Sequence, residues 1–572
     1  MNNQCMNDHS MSDHTAAQHT AGQLAETHRV ENVPPPLEDY DSWGSDAALR
    51  EAVRAFGGEW GEARLADFGV ECGTAERIAW GFQANGNPPR LRTHDRFGHR
   101  VDEVDYHPAY HQLMNVARAN HLHALPWVEP KPGAHVVRAA LLYLQTQVEA
   151  GHGCPVVMTF ACVPTLNKQR DIAAQWLPKI TNGVYDSRNL VHTRKDGLTI
   201  GMAMTEKQGG SDVRANSTRA FPLGAGGPGA AYELVGHKFF VSAPMSDGFL
   251  MLAYAEQGLS CFLVPRWRPD GSKNPIQINQ LKDKMGNVSN ASCETELRGA
   301  LGWMIGAEGR GVANILEMVA LTRFDCAVAS AAGMRQAAAQ ALHHCRHRSA
   351  FGARLVDQPL MQNVLADLAL EAEAATWLGL RLAQALDRSA DDEGEALLLR
   401  LGTAVGKYWN CKRAPGHAYE AMECIGGSGV METTLMPRLY REAPVNAIWE
   451  GSGNVQCLDV LRAIRKAPEC LEAFLQEAAR AAGDNALLDT QLKWLREQSS
   501  EATVPPYQAR RFVERMALAW QASLLIRSGN AAVSDAFCAS RLGEGASGLY
   551  GSLPQGVDCR AVIERSMPGA AA

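Results

Sequence analysis

The 572-residue chain has no excess of basic charge. Its 55 Lys and Arg against 62 Asp and Glu leave a formal charge of -7, so no global pull toward nucleic acid exists and any such site must be a local patch. It also lacks paired cysteine spacing. The 14 cysteines are scattered with no CxxC, unlike the dense framework of a short secreted chain, and they read as reduced intracellular thiols, most of them core fillers. No run approaches the ~18 uninterrupted apolar residues of a spanning helix, and no basic segment followed by an apolar one opens the chain, so the expected home is the cytoplasm. No internal repeat of fixed period is present, which excludes a solenoid. Core material is ample, with 46% hydrophobic residues, and the length points to two to four domains.

What is present changes grammar along the chain. Residues 1–32 are polar, with His9, His14 and His19 at intervals of five that share no helix face. A disordered tail, not a metal site, is expected there. From 33 to 154 apolar residues recur at three and four, as in "AHVVRAALLYLQTQVEAG", which predicts an N-terminal helical domain. Over 155–305 short runs such as "LTIGMAM", "AAYELVGHKFFVS" and "GFLMLAYAE" lie between Gly, Pro, Asp and Ser turns and predict a β domain. Helical periodicity returns over 306–466, where Val364, Leu368, Ala375, Leu378, Leu382 and Leu386 form a stripe suited to a bundle. Residues 467–572 add further helical segments with ten basic and twelve acidic residues, so composition announces no DNA-binding module there. The expected fold is mainly α with a central β domain.

Several stretches could carry chemistry. "GAGGPG", 224–229, matches a dinucleotide fingerprint, but no strand is expected before it and Pro228 interrupts it, so a hairpin loop is the better reading. "MAMTEKQGGSDV", 202–213, follows a strand; Gly209 and Gly210 could turn N–H groups onto an anion and Ser211 adds a hydroxyl, so it is either a plain turn or a pyrophosphate cradle. His343 and His347 are one helical turn apart without a convincing third ligand, and a solvated face is expected, with no metal. Arg348, followed by Phe351 and Gly352, offers a guanidinium for phosphate and a ring for a heterocycle, or merely a basic helix terminus. Gly426, Gly427 and Gly429 form a second flexible loop that could equally be a helix C-cap. In "NAIWEGSGNVQ", 446–456, Ser452 or Asn454 is placed to cap the next helix. Glu450 is either a reactive carboxylate or a charge complementing that helix start.

Together and in this order, these motifs resemble the acyl-CoA dehydrogenase flavoprotein family from about residue 34 to 466. "MTEKQGGSDV", "LKDKMGN", "SNASCE", "TRFDCA" and "PRLYREAPVNAIWEGSGN" are most similar to its branch associated with the adaptive response to DNA alkylation. The resemblance implies an N-terminal helical domain, a β-barrel domain and a four-helix bundle around FAD in a homotetramer, with an extra C-terminal helical domain. It places Met204, Thr205, Gly210 and Ser211 along the flavin and its phosphates, and Phe240, Val241 and Ser242 beside the ring. Arg348 and Phe351 would reach a neighbouring subunit's FAD, Gly426 and Gly427 would pass close to it, and Ser452 and Asn454 would close over it. Glu450 becomes the base that takes the proton next to a thioester carbonyl, for which burial must raise its proton affinity. Two functions follow: a DNA-associated flavoprotein that protects or repairs alkylated DNA with weak or redirected dehydrogenase chemistry, or an active acyl-CoA dehydrogenase forming the enoyl-CoA. Double-stranded DNA would need a local cationic groove; Arg462, Arg465 and Lys466 are one candidate cluster, and Lys407, Lys412 and Arg413 another. Trp449 and Glu423 stand where many members carry Tyr and Gln, which alters the pocket's bulk and charge.

Overall fold

A computed structural model describes residues 27–500, 504–544 and 547–569; the histidines at 9, 14 and 19 lie outside them. Helices from Ala47–Ala55 to Ala134–Val148 make the N-terminal layer. An antiparallel hairpin, Arg90–His94 with Arg100–Asp105, interrupts this layer, a feature the helical periodicity did not suggest. Two more helices, Gly153–Leu166 and Arg170–Ile180, occupy the stretch expected to begin the β domain, whose first strand is Ile200–Ala203. The reason is local. Gly153–Leu166 is buried on nearly every side and carries Pro164 inside it, while Arg170–Ile180 carries Pro178, so the prolines signalled a break and the first helix offered no amphipathic period.

The strands from Ile200–Ala203 to Ser292–Ile305 form one seven-stranded sheet. Gly248–Ala255 pairs with Gly258–Pro265, which pairs with Ser292–Ile305, which pairs with Ala231–Ser242. Arg219–Pro222 joins Ala231–Ser242 back to Gly248–Ala255 and closes the sheet on itself. A strand therefore does precede Gly224–Gly229, contrary to expectation, but it pairs antiparallel with the strand that follows. The glycines turn a hairpin, and no crossover helix makes a nucleotide fold.

Three long helices, Gly311–His347, Pro359–Arg388 and Glu393–Ile425, form the bundle with Gly453–Lys466. Asp392 caps the third by accepting from the Glu395 N–H at 3.1 Å, and Glu393 and Glu395 in the first turn complement its dipole. The middle helix is buried from Leu365 to Ala383 on all faces, so the apolar stripe read from the sequence understates its burial. The reason is a further layer: the C-terminal helices Glu469–Ala478, Ala509–Arg527 and Ala531–Arg541 share one continuous core with the bundle and the N-terminal helices. Gly402 lacks a side chain where a Cβ would stand 2.9 Å from the buried Trp520 indole. Ion pairs tie the same layers together: buried Arg381 with Glu395 and Glu477, buried Arg541 with Asp367 and Glu371, and Arg565 with buried Glu373 and the more exposed Glu51.

Eleven of the thirteen described cysteines are buried, Cys154 and Cys559 are partly so, and none is paired. Among the described residues no helix is long and apolar enough to cross a membrane, and no group of three side chains could hold a metal ion.

Candidate active site

Glu450 sits at φ +57°, followed by Gly451 at φ +101°, so the chain makes a left-handed bend between the short helix Val445–Ile448 and Gly453–Lys466. Three side chains hold it. Lys407 Nζ donates to the carbonyls of Trp449 at 2.8 Å and Gly451 at 2.5 Å. Arg323 Nε donates to the Glu450 carbonyl at 2.8 Å. Gln456 Nε2 donates to the Glu450 and Gly451 carbonyls. A Cβ on Gly451 would meet Gln456 at 2.8 Å, which with its φ explains the glycine.

The bend turns the Glu450 carboxyl away from the following helix and toward the first bundle helix, where Thr322 Oγ1 donates to its Oε2 at 2.9 Å. Its recorded side-chain hydrogen bond is thus to the first bundle helix and not to an N–H of the helix that follows. Burial raises its proton affinity above the ordinary carboxylate range, against the Thr322 hydrogen bond and the charges of Arg323 and Lys407. Cys154, whose thiol burial pushes up to about 12, lies within the electrostatic reach of Glu450 and Lys284. Ser242 and Ser292 face each other there at 2.9 Å between their hydroxyls. A partly buried carboxyl with raised proton affinity, aimed at the junction of barrel and bundle, is suited to accept a proton from carbon.

The other anticipated residues fall into two groups. Met204 and Thr205 run beside the strand Ala231–Ser242: the Phe239 N–H donates to the Thr205 carbonyl at 2.8 Å, and the Thr205 side chain lies against Gly210 of the Gly210–Ser211 turn. Phe240 is 45% exposed while Val241 is buried. The anchor of this turn was missed by sequence reasoning. Glu206 forms a wholly buried pair with Lys238 at 2.8 Å and accepts from the N–H groups of Ser217 and Thr218. Burial pushes the Glu206 carboxyl up, but Lys238 and these donors outweigh it and hold it at about 2. A Glu and a Lys 32 residues apart in two adjoining motifs were the available signal.

The second group is Arg348, Phe351, Gly426 and Gly427. Arg348 ends the 311–347 helix and donates to the Asn32 carbonyl, and Phe351, at φ +53°, tips a two-stranded hairpin fully exposed. Gly426 follows the third bundle helix at φ +67°, as the C-cap reading anticipated. Cys345 approaches the Cys424 carbonyl and Cys411 the Cys326 carbonyl, so the first and third bundle helices run in the same direction. Thr322 and His347 are 25 residues apart on one helix, about 38 Å at 1.5 Å per residue. Within one chain the second group therefore does not meet Glu450.

Other expectations need correction. Ser452 is the N-cap residue of Gly453–Lys466 but makes no side-chain capping bond, and Asn454 accepts from Arg510 of the C-terminal layer at 2.8 Å. Lys407 is no surface cation: it is 1% exposed. Arg413 is turned inward onto Glu371 at 2.8 Å, because both face the packed layers and only Lys412 faces outward. Arg462, Arg465 and Lys466 are all exposed. His343 bonds the Pro35 carbonyl and His347 the His343 carbonyl, so the pair is occupied by backbone. Thr322, Arg323, Lys407 and Gln456 were given no role in the site by the sequence, although "TRFDCA" contains the first two.

A closed barrel between an N-terminal helical layer and a bundle, with a carboxyl held where bundle meets barrel, defines the acyl-CoA dehydrogenase class, and the chain belongs to that family. Family models match as the AidB N-terminal domain of the adaptive response over residues 32–187, the acyl-CoA dehydrogenase middle domain over 201–300 and its C-terminal domain over 309–465. The chain is 47% identical over 475 residues to AidB of Escherichia coli (strain K12), covering 83% of this chain and 87% of that one. It is 32% identical to acyl-CoA dehydrogenase family member 11 of Caenorhabditis elegans, covering 77% and 72%. The crystal structure of C. elegans ACDH-11 with C11-CoA superposes with a TM-score of 0.80 at 27% identity, covering 96% of this chain and 94% of that one.

The cofactor is FAD. The residues present suit it: Phe240 is 45% exposed near the end of a strand, and a Cβ on Gly426 or Gly427 would meet nothing within 4 Å, so backbone is left bare for a close approach. Met204, Thr205, Gly210 and Ser211 could line its flavin and phosphates, and Phe240, Val241 and Ser242 its ring.

Proposed function

We propose that this AidB-like protein oxidises an acyl-CoA thioester, with Glu450 as the base. The observation that carries the reading is the Glu450 carboxyl itself, held by Thr322 at 2.9 Å and raised in proton affinity by burial. FAD, when bound, supplies the acceptor for the hydride leaving the β-carbon. Glu450 takes the α-proton, so the thioester loses one hydride and one proton and becomes the enoyl-CoA. Thr322 and the left-handed bend aim the carboxyl. Anaerobic mixing of the yellow protein with acyl-CoAs of graded chain length tests this. The flavin colour should bleach with at least one of them, and no bleaching with any would overturn the reading.

Arg348, Phe351, Gly426 and Gly427 belong, in this proposal, to the cofactor site of a second copy in a homotetramer. Their separation from Glu450 along the bundle supports that placement. The unpaired thiols fit a reducing cytoplasm.

A second reading is association with duplex DNA, within a response to alkylation damage. It rests on Arg462, Arg465 and Lys466, all exposed near the end of one helix and making no ion pair with any described residue. Filter retention of a labelled duplex should fall steeply with salt, since binding to phosphates releases counterions. Salt-insensitive or absent retention would remove this reading.

A further inference from the structure

Lys407 forms no ion pair with any described carboxylate; its Nζ bonds only to backbone carbonyls. It is 1% exposed in the middle of the third bundle helix, where an unpaired ammonium is costly to bury. Its Nζ donates to the carbonyls of Trp449 at 2.8 Å and Gly451 at 2.5 Å, the two residues flanking Glu450. Nothing in the packing of the bundle calls for a cation at this depth; a leucine would fill a helix interior more cheaply. The charge is spent on one bend.

We infer that Lys407 is a positioning residue for Glu450: it pins the carbonyls on either side of the base, fixes the left-handed backbone that aims the carboxyl at Thr322, and stands as a fixed cation beneath it. The inference deepens the proposed thioester chemistry and rests on Glu450 being its base. The geometry explains the division of labour. Arg323 holds the Glu450 carbonyl but shares its guanidinium with Asp459, which also pairs with Arg400. Gln456 donates to the Glu450 and Gly451 carbonyls without charge. Lys407 alone among the three brings a charge whose facing carboxyl is that of Glu450 itself. A residue at φ +57° that is not glycine or asparagine is strained, and clamping both neighbouring carbonyls is what over-determines it.

The groups facing Glu450 are Thr322, Arg323 and Cys326 from the first bundle helix, Lys407 from the third and Cys154 from the barrel-side helix. Those facing Lys407 are Cys326, Cys411 and Glu450. Among the described residues Arg323 and Lys407 are the cations acting on the carboxyl, and both favour its ionised form. Loss of the Lys407 charge therefore moves Glu450 protonation to higher pH.

The test uses the FAD-loaded full chain as wild type, Lys407→Met, Lys407→Gln and Lys407→Arg. Infrared difference spectra against Glu450→Gln isolate the Glu450 carboxyl and give its protonation midpoint without substrate. Expected are a midpoint at higher pH in Lys407→Met and Lys407→Gln and recovery toward wild type in Lys407→Arg. With acyl-CoA, the bleaching rate of Lys407→Gln should fall at least tenfold at neutral pH and recover as pH rises. An unchanged midpoint in a folded, yellow Lys407→Gln overturns the inference. If Lys407→Met fails to fold, Lys407→Gln, which keeps amide donors, and Lys407→Arg, which keeps charge, still decide it. If wild type never bleaches, the base reading fails, yet the midpoint still reports on Lys407.

Discussion

Thr322 and Glu450, 128 residues apart in the chain, meet at 2.9 Å through a hydroxyl that donates to Oε2. The bond joins the first bundle helix to the loop before Gly453–Lys466 and leaves the other carboxylate oxygen free of protein donors among the described residues. Replacing the base tests its role most directly. Glu450→Gln should keep the yellow colour and lose thioester-driven bleaching by about 10²–10⁴-fold, the usual contribution of a positioned base. Loss of colour would show that the carboxyl supports the fold.

Thr322→Val removes the hydroxyl at nearly constant volume. The hydrogen bond favours the ionised carboxylate, so its loss raises the proton affinity of Glu450 further. The pH dependence of bleaching should move to higher pH. A profile superposing on wild type would mean that the hydroxyl does not tune the base.

Arg462→Glu, Arg465→Glu and Lys466→Glu, combined, should leave flavin absorbance unchanged. If these side chains neutralise phosphates, the log–log salt slope of duplex binding becomes shallower by about 0.9 for each phosphate no longer neutralised. An unaltered slope would place any DNA elsewhere on the surface.

Arg541→Met leaves Asp367 without its guanidinium and Glu371 with only Arg413. Breaking one side of a buried pair costs about 3–5 kcal/mol, so the thermal midpoint should drop by several degrees. Burial pushes Glu371 up, but Arg413 and Arg541 outweigh it and hold it at about 2, below the ordinary 4.5. Ionised Glu371 therefore contributes stability that is full above about 4.5 and fades as pH falls toward about 2. Acid unfolding followed by circular dichroism should show this loss in wild type, and a weaker one in the variant.

Glu442 behaves in the opposite sense. Burial, reinforced by the Glu149 charge and opposed by Arg438 and Lys284, raises it to about 7, while its carboxyl accepts from the Asn287 N–H at 2.6 Å. Its contribution is full below the ordinary 4.5 and is lost as pH rises through about 7. Glu442→Gln keeps an acceptor for Asn287 without the charge, so the fall in thermal midpoint between about pH 5 and 8 should flatten. A slope equal to wild type would assign that fall to other groups.

Much of this was legible in one dimension. The strand Ala231–Ser242 and the middle bundle helix announced themselves through period, and the motif around Glu450 through the family resemblance. The helices Gly153–Leu166 and Arg170–Ile180 did not, because prolines and all-round burial mask the amphipathic signal. The surroundings of Glu450 were harder still. Lys407, Lys412 and Arg413 look alike along the chain, and only packing separates a lysine facing backbone carbonyls from one facing water. Glu206 and Lys238 likewise become a pair only when two strands meet.

Trp520 fills the space that Gly402 leaves vacant, and this interlock has a bearing on how the chain can be shortened. No natural seam separates its last hundred residues from the rest: paring them off at about 466 would open an apolar trench along the middle bundle helix and strand Arg381 without Glu477. The terminal layer behaves as a wall of the same building, so a molecule gripping it would grip the frame that carries Glu450.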